Sequence, residues 1–515
     1  MKKAIAALLL ALVLAGGAMA QAEVQTYSQD EQEALAKQFN TLSLARGAKL
    51  FTQDMPVMTQ RLGADPWALV YDDRVYLYMT GDVLEYDKDG KVKDNTYAKI
   101  NTLNVVSSAD LVNWTDHGCI AAAGRNGASK WGNNSWAPAV ACKEIDGQMR
   151  FFIYFANGGN GIGVLTSDSP TGPFVDPIGR PLVSRNTPNC STVTWLFDPA
   201  VLVDDDGSAY LYFGGGVPSK HEADPGTARV VKLGDDMISL DGKPKPLKVP
   251  FLFEDSGINK IGGKYVYSYC TNWNVTAEGK KNYGFDNAQI AYMTSDNPMG
   301  PFEYTGMFLK NPGTYFGCYG NNHHCIFEFK GNWYVAWHTQ ILEKALGVSG
   351  GYRSTGITQL TVHDDATIDL VRQAGLDKLE QVSTLNPFTR IEAETIAVMA
   401  GIDTVCAEQG TTCGNMVVTD INDGDWLALY GVDFGAGAKT ITMSVHADEG
   451  VTGCIQLHQD KPRGPVIGYV TITPTGDGYQ EITADLTQPI EGVHNLTFLF
   501  SGEGYTIDAW QFSAE

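Results

Sequence analysis

The chain has 515 residues and is acidic, with 37 Lys and Arg against 59 Asp and Glu and a net charge of −22. This charge disfavours partners that are nucleic acids or anionic membranes, because both are bound through clusters of Lys and Arg. A hydrophobic content of 43% excludes global disorder, and 56 Gly with 23 Tyr favour a turn-rich, aromatic-rich all-β protein of two or three domains.

The first 20 residues have the features of an export signal. Lys2 and Lys3 precede an apolar run, 4–14, that is too short to span a bilayer. Small residues at both ends of segment 18–20 (Ala-Met-Ala) fit the cleavage rule. We therefore predict a signal peptide over 1–20 and a secreted or periplasmic mature protein, with no membrane partner.

Residues 21–53 form a predicted N-terminal extension. Ser28 and Glu31 have the spacing of a capping box, which marks the start of a helix. Nothing in this extension indicates chemistry.

One unit recurs five times between residues 54 and 384. It consists of a short apolar strand, a turn that contains Asp or Gly, and an aromatic strand. The alternation in VYLYM, AYLYF and YVYSY predicts strands, and the pairs DG, GG and GN predict hairpin turns. Five repeats of a four-stranded unit predict a five-bladed β-propeller. The copies begin at Ala64, Trp136, Phe197, Phe253 and Asn322.

The repeat places ionisable groups at one position of the innermost strand. Inner strands converge on the propeller axis, so these groups are expected to meet although they are far apart in sequence. Carboxyls that lie close together have divergent pKa values, and one protonated carboxyl beside an ionised one is the minimal machinery for glycoside hydrolysis. The alternative is that some of them are turn or capping residues. The position holds Asp65, Ala137, Asp198, Glu254 and His323.

Six segments within residues 55–370 resemble glycoside hydrolase family 43. They are, in the family's order, GADPWALVYDDRVYLYMT, NSWAPAV, FDPAVLVDDDG, FEDSGINKIGGKYVYSY, NNHHCIFEFKGNWYVAWHTQ and GYRSTGITQ. The resemblance implies a five-bladed propeller and hydrolysis with inversion of configuration. It also implies that Asp65 is the general base, Glu254 the general acid, and Asp198 the carboxylate that tunes and orients the acid.

The resemblance assigns further side chains to the channel. His338 matches a position that, in many relatives, helps to hold a water-coordinated calcium ion near the base, and Arg353 matches an arginine that contacts the sugar. Of the adjacent His323 and His324, only one can face the axis, because neighbouring residues in a strand point to opposite faces. We predict that His323 is that residue and binds substrate.

Two tryptophans stand at the mouths of the first two inner strands. Trp67 and Trp136 are predicted to stack on sugar rings, with packing in the propeller core as the alternative. Ala139 is a departure, since the family often has an acidic residue after WAP. This departure affects substrate contacts rather than the mechanism.

Residues 385–515 have a different composition, with short alternating strands that predict a β-sandwich (jelly roll). Segments 391–394, 422–438 and 504–512 resemble carbohydrate-binding module family 6. The resemblance implies that Glu392, Glu394 and Asp508 bind a structural calcium ion, for which oxygen ligands are suited. Exposed carboxylates on edge strands are the alternative.

Sugar binding by the sandwich depends on a cleft that is only partly retained. Tyr479 occupies one of the two aromatic positions of the module and is a predicted sugar contact. Asp420 replaces the other aromatic residue, and Thr506 replaces the usual Asn. The sandwich is therefore expected to bind weakly, to bind through another face, or to brace the propeller.

Taken together, these patterns predict a secreted, inverting exo-glycosidase acting on plant cell-wall polysaccharide. Removal of α-L-arabinofuranosyl residues from arabinoxylan or arabino-oligosaccharides is the predicted reaction. The alternative is a β-xylosidase acting on xylooligosaccharides, because the same carboxylates serve both and pocket shape decides. An alternative of another class is a non-catalytic carbohydrate-binding protein.

Overall fold

The computed structural model describes residues 24–376, 379–408 and 414–514, and the predicted signal peptide lies outside them. The described chain is an all-β protein, a five-bladed β-propeller followed by a curled β-sandwich, so the predicted fold class is confirmed. Within these ranges, the helices are too short or too polar to cross a bilayer.

Each propeller blade is an antiparallel sheet, with four strands of its own in the first four blades and three in the fifth. Blade 1 has β1 Ala64–Tyr71, β2 Arg74–Thr80, β3 Thr102–Ser108 and β4 Trp114–Ala121. Blade 2 has β5 Trp136–Ile145, β6 Gln148–Ala156, β7 Gly161–Ser167 and β8 Val183–Ser184. Blade 3 has β9 Ala200–Val203, β10 Ala209–Phe213, β11 Arg229–Leu233 and β12 Leu240–Pro246. Blade 4 has β13 Leu252–Ile261, β14 Lys264–Thr271, β15 Ile290–Ser295 and β16 Glu303–Leu309. Blade 5 has β17 His324–Phe329, β18 Asn332–Thr339 and β19 Ser354–Leu360.

The inner strands form a closed ring. Strands β1, β5, β9, β13 and β17 contact one another in this order, and β17 contacts β1. Two-residue hairpin turns join the inner strand to its neighbour in blades 1, 2, 4 and 5, and five residues, 204–208, do so in blade 3. In all four of these two-residue turns both residues have positive φ, as turns that match the twist of the strands require: Asp72-Asp73, Asp146-Gly147, Gly262-Gly263 and Lys330-Gly331. The ring brings residues from all five repeats to one axis.

The sandwich is a single curled sheet around an apolar core that includes Ile441, Leu457, Phe498 and Trp510. Its strands are β20 Ile391–Glu392, β22 Val398–Ala400, β23 Asp403–Cys406, β24 Met416–Thr419, β25 Trp426–Asp433, β26 Ala438–Ala447, β27 Gly453–Gln459, β28 Val466–Ile472, β29 Gln480–Ile490, β30 Val493–Gly502 and β31 Tyr505–Ser513. The same segment contains β21 Thr395–Ile396, which lies outside this sheet.

The N-terminal extension contains the predicted helix, α1 Gln29–Thr41. Its capping box is present: the Ser28 N–H donates to Glu31 Oε2 at 2.8 Å, and the Glu31 N–H donates to Ser28 Oγ at 3.4 Å. Phe39 is fully buried, with its ring 6.4 Å from that of Tyr469. The helix thus packs on the sandwich. Three short helices lie in the propeller, α2 Ala277–Tyr283, α3 Pro312–Phe316 and α4 Ile341–Ala345.

A shared sheet joins the two units. Strand β21 of the sandwich segment pairs with β4 and becomes the fifth strand of blade 1. Beside it, the Asn113 side chain accepts from the Tyr430 N–H and donates to the Tyr430 carbonyl, both at 2.8 Å. The propeller and the sandwich are therefore joined by backbone pairing as well as by side-chain contact.

Candidate active site

Three inner-strand segments carry the same backbone feature, a left-handed residue followed by proline. Asp65, Ala137 and Asp198 have φ of 47°, 40° and 47°. Pairing with the neighbouring strand shifts register at the first two of these positions, as in a bulge. Residues other than glycine rarely adopt this conformation, and it persists where the surrounding structure enforces it, often at active sites.

A cavity of about 400 Å³ opens where the inner strands meet. It collects six predicted site residues: Asp65, Trp136, Asp198, Glu254, His323 and Arg353. The other residues that line it are Tyr97, Gly159, Trp195, Phe197, Phe253 and Asn321. The repeat-based prediction therefore located the cavity, while the second set was not predicted.

Asp65 is buried among positive and polar groups. Arg353 Nη1 donates to its Oδ1 at 2.8 Å, and His338 Nδ1 and His323 Nδ1 lie 3.1 and 3.4 Å from the same oxygen. Burial alone would raise the pKa of Asp65, but the positive charge of Arg353 outweighs it. The pKa of Asp65 lies well below its usual range, so this carboxyl is ionised.

Arg353 is held in place by a carboxylate that the sequence analysis missed. Asp82 accepts from the backbone N–H of Arg353 at 3.0 Å, from Nε at 3.0 Å and from Nη2 at 2.7 Å. The Tyr97 ring lies against the guanidinium, 5.0 Å away. These contacts direct the remaining guanidinium nitrogen at Asp65. Neither Asp82 nor Tyr97 lies in the repeat, so no sequence signal marked them.

Glu254 and Asp198 have the opposite electrostatic surroundings. Burial raises the pKa values of both carboxyls well above their ordinary values, and neighbouring carboxyls raise them further. Asp198 Oδ2 accepts from the backbone N–H of Asp255 at 2.9 Å. Glu254 Oε1 is buried and has no hydrogen-bond partner within the described part of the chain. A protonated Glu254 thus faces the same cavity as an ionised Asp65.

Aromatic rings form much of the cavity wall. Trp195 contacts Phe197 and Phe253 edge-on, with both ring centroids 5.3 Å away. A Cβ on Gly215 would lie 2.7 Å from the Phe197 ring and 2.4 Å from the Phe253 carbonyl oxygen, so only glycine fits behind this wall. Phe197 and Phe253 directly precede the catalytic carboxyls in the repeat and were recognisable by that position. Trp195 lies outside the repeat.

The two predicted tryptophans differ. Trp136 is half-buried in the cavity wall, where its Nε1 donates to the Tyr97 carbonyl at 3.1 Å. The prediction that Trp67 stacks on a sugar is wrong, because its side chain is buried between blades 1 and 2 and its Nε1 donates to the Val140 carbonyl at 2.8 Å. The bulge between Ala64 and Trp67 explains this, since the extra residue changes the face to which the following side chain points.

His338 does not fit the predicted role as a metal ligand. Its Nδ1 accepts from the backbone N–H of Asp65 at 3.1 Å, and its Nε2 donates to the Asn321 carbonyl at 3.0 Å. A histidine ligand needs a nitrogen lone pair directed at the metal, and both ring nitrogens already have protein partners. His338 instead supports the backbone of the base.

The three predicted calcium ligands of the sandwich lie near one another, but their carboxyl groups have different hydrogen-bond partners. Arg390 donates to Glu392 and, at 2.6 Å, to Asp508. Glu394 is buried, its Oε2 lacks a partner, and burial raises its pKa to about 9. Among the described residues, no three His, Cys, Asp or Glu side chains are grouped closely enough to share an ion. Calcium binding here stays a prediction, supported by the unpartnered oxygen of Glu394.

Tyr479 lies on the sandwich, away from the cavity. Its hydroxyl hydrogen-bonds with Thr506 Oγ1 at 2.9 Å, and its ring lies 5.7 Å from that of His446. Its predicted sugar contact stays a prediction.

Comparison with known proteins adds independent information. Residues 54–368 match the model of Glycosyl hydrolases family 43, and residues 392–514 match that of Carbohydrate binding module (family 6). An arabinoxylan arabinofuranohydrolase of Paenibacillus polymyxa is 48% identical over 90% of this chain and 75% of its own length. One of Bacillus subtilis is 47% identical over 90% of this chain and 93% of its own length.

A solved structure also matches. The crystal structure of a family 43 arabinoxylan arabinofuranohydrolase from Bacillus subtilis, in complex with cellotetraose, superimposes with a TM-score of 0.86 at 45% identity. The match covers 92% of this chain and 99% of that one, so it includes both the propeller and the sandwich.

Proposed function

Because the chain belongs to glycosyl hydrolases family 43, we propose that it is an inverting hydrolase that removes α-L-arabinofuranosyl branches from arabinoxylan. The family match confirms the resemblance seen in the sequence, and relatives at 47–48% identity are arabinoxylan arabinofuranohydrolases. The observation that carries the proposal is one cavity in which buried carboxyls from different blades have oppositely shifted pKa values.

The mechanism follows from these two ionisation states. Ionised Asp65 accepts a proton from a water molecule as that water attacks the anomeric carbon. Protonated Glu254 donates its proton to the glycosidic oxygen as the bond between that oxygen and the anomeric carbon breaks. Attack from the face opposite the leaving group inverts the configuration, and an inverting site keeps the two carboxyls far enough apart to admit the water. Glu254 keeps its proton because burial raises its pKa and the neighbouring carboxyl of Asp198 raises it further.

The cavity wall suits a sugar. Trp136, Trp195 and Phe253 offer apolar ring faces and edges for the C–H groups of a pyranose or furanose. Arg353 and Asn321 add polar groups for hydroxyls at the inner end. We infer that the branch sugar enters towards Asp65 while the polysaccharide backbone lies across the aromatic rim.

Time-resolved proton NMR of the protein acting on arabinoxylan and on xylooligosaccharides tests the proposal. Arabinose released with inverted anomeric configuration, from an intact xylan backbone, is the expected result. Xylose released from chain ends would move the specificity to that of a β-xylosidase. Binding without any product would point to a non-catalytic carbohydrate-binding protein.

Two matched variants test the acid. Glu254→Gln is expected to abolish release of arabinose from arabinoxylan, because the amide cannot donate a proton to the leaving oxygen. Glu328→Gln makes the same change at an exposed position of β17 and is expected to keep wild-type activity. Full activity in Glu254→Gln would show that the acid is another residue.

We further propose that the protein is exported. The two lysines and the apolar run that follow Met1 support this. N-terminal sequencing of protein recovered outside the cytoplasm is expected to begin near Gln21, and a chain that retains Met1 would contradict export by cleavage.

A further inference from the structure

Asp255 is a fully buried carboxyl that the mechanism above does not use. It directly follows Glu254 and has a φ of 69°, close to the left-handed conformation of Asp65 and Asp198 in their blades. By backbone conformation, Asp255 is therefore the counterpart in blade 4 of those two carboxyls. A carboxyl is costly to bury unless its oxygens are satisfied, so its partners indicate what it does.

The partners of Asp255 come from blade 5. Its Oδ1 accepts from the backbone N–H of His324 at 3.1 Å, and its Oδ2 lies 2.5 Å from His324 Nδ1. The other ring nitrogen of His324 lies 2.7 Å from Ser268 Oγ. His324 is thus fixed at both ring nitrogens, and it fixes the Asp255 carboxyl in turn.

The same carboxyl reaches the cavity through His323. Asp255 Oδ1 lies 3.2 Å from His323 Nε2, and His323 Nδ1 lies 3.4 Å from Asp65 Oδ1 and 3.9 Å from Asp198 Oδ2. His323 lines the cavity, while Asp255 and His324 lie behind it. An imidazole without a partner at Nε2 can rotate and present a C–H edge to Asp65. With Asp255 at Nε2, the ring keeps Nδ1 on the side of Asp65. Nδ1 donates to Asp65 when Nε2 accepts from the Asp255 carboxyl, whose pKa burial raises well above its ordinary value.

We propose that Asp255 is a positioning residue that, backed by His324, holds the His323 ring with Nδ1 towards Asp65 and so orients the base for attack by water. This inference rests on the proposed function, in which Asp65 activates the water. It assigns the orientation of Asp65 to three side chains in series, His323, Asp255 and His324. Asp255 itself touches neither the sugar nor the water.

Asp255→Asn tests the proposal, with wild-type release of arabinose measured first. The amide keeps the side-chain volume but cannot accept hydrogen bonds at both of its terminal atoms. We expect kcat to fall about tenfold to hundredfold, the range for a misplaced reacting group, with KM nearly unchanged. The fall is expected to be equal on arabinoxylan and on a nitrophenyl arabinofuranoside, because water attack is common to both substrates. A purely structural role would instead lower the melting temperature and leave the kcat of the folded fraction unchanged.

Two further variants keep the test decisive. His324→Gln removes the ring that anchors Asp255 and is expected to reproduce the fall in kcat, which covers the case in which Asp255→Asn does not fold. Asp73→Asn makes the same Asp-to-Asn change at an exposed left-handed residue of the β1–β2 turn and is expected to keep kcat at the wild-type value. Wild-type kcat in folded Asp255→Asn would overturn the proposal.

The choice of substrate separates the remaining outcomes. A loss confined to arabinoxylan would place the effect on Glu254, because only a poor leaving group needs the acid, and would also overturn the proposal. If the wild-type protein released xylose rather than arabinose, the proposed function would fail. The comparison of variant with wild type on a nitrophenyl xyloside would then still decide the role of Asp255.

Discussion

Arg353 gives Asp65 electrostatic surroundings that differ from those of the other reacting carboxyl, Glu254. The guanidinium of Arg353 contacts Asp65 directly, and Asp82 on its other side fixes its direction. Within the described part of the chain no cation forms an ion pair with Glu254, and burial and the neighbouring carboxyl of Asp198 both raise its pKa. Because all of these groups are buried, solvent screens them little, and their influence on ionisation is large.

The pH dependence of activity follows from these shifts. The pKa of Asp65 is depressed, so the base is expected to stay ionised down to pH values below the ordinary range of Asp. The pKa of Glu254 is raised, so the acid stays protonated above the ordinary range of Glu, and activity is lost as the pH rises through this raised value. A pH profile of kcat/KM on arabinoxylan is expected to be a broad bell. An alkaline limb near the ordinary pKa of Glu would contradict the assignment of Glu254.

Arg353→Gln is expected to narrow the pH profile of kcat/KM by shifting its acid limb. Without the guanidinium, burial raises the pKa of Asp65, so the acid limb moves to higher pH. Asp65 and Asp82, two buried carboxylates, also lose their shared partner. Breaking a buried ion pair lowers the free energy of unfolding by about 3–5 kcal/mol.

The loss of stability in Arg353→Gln has a defined pH dependence. The folded pKa of Asp65 is lower than its unfolded value, so the pair contributes stability above the unfolded pKa that is lost as the pH falls towards the folded one. Denaturant unfolding is therefore expected to show a larger difference from wild type at neutral pH than at low pH. In the pH profile of kcat/KM, an acid limb of Arg353→Gln at the wild-type position would contradict the role of Arg353.

At the scale of elements, the inner strands were predictable because their pattern repeats. Period-two alternation and two-residue turns located the hairpins of the blades, and the repeat position located Asp65 and Asp198. The bulges were not visible in that pattern. The bulge in blade 1 directs the Trp67 side chain into the core. In blade 4 it is Asp255, one residue after the predicted position, that has the left-handed conformation.

The loops between strands carried the residues that sequence reasoning missed. Tyr97 and Trp195 reach the cavity, and Asp82 reaches Arg353, from segments between the strands of the repeat. Comparison of the repeats cannot identify such residues. The direction of their side chains depends on contacts that form only in the folded propeller. The electrostatic control of Asp65 is therefore a property of tertiary structure.

The β20–β21 corner of the sandwich predicts a response to calcium. Glu394 is 3% exposed and has a carboxylate oxygen without a partner, which an ion would satisfy. Calcium is expected to raise the melting temperature of the wild type and a chelator to lower it. Glu394→Gln is expected to be insensitive to both and, with chelator present, at least as stable as wild type, because a neutral amide costs less to bury.

The outcome against calcium is equally specific. Identical melting temperatures of the wild type in calcium and in chelator would contradict an ion at this corner. Arg390, which already contacts Glu392 and Asp508, would then be the positive partner of these carboxylates.

At the scale of the whole molecule, the N-terminal extension and the sandwich form one surface against the propeller. The outer face of the sandwich carries Trp426, Tyr430 and Tyr469, and residues of the extension cover it. Trp426 Nε1 donates to the Ala45 carbonyl at 3.1 Å, and the Tyr430 hydroxyl donates to the Phe51 carbonyl. These rings pack against the extension, and the backbone of Tyr430 is hydrogen-bonded to Asn113 of the propeller, so this face of the module braces the propeller.

Such bracing predicts that the two units unfold together and that α1 contributes to both. Phe39→Ala removes a fully buried ring and is expected to cost about 3–5 kcal/mol. Since β21 continues the sheet of blade 1, calorimetry is expected to show a single transition shifted to lower temperature, while kcat on arabinoxylan stays unchanged because Phe39 is outside the cavity. Lys37→Ala, an exposed change on the same helix, is expected to shift the midpoint little. Two separate transitions in Phe39→Ala, with that of the propeller unshifted, would show that the extension stabilises the sandwich alone and that the shared sheet does not couple the two units.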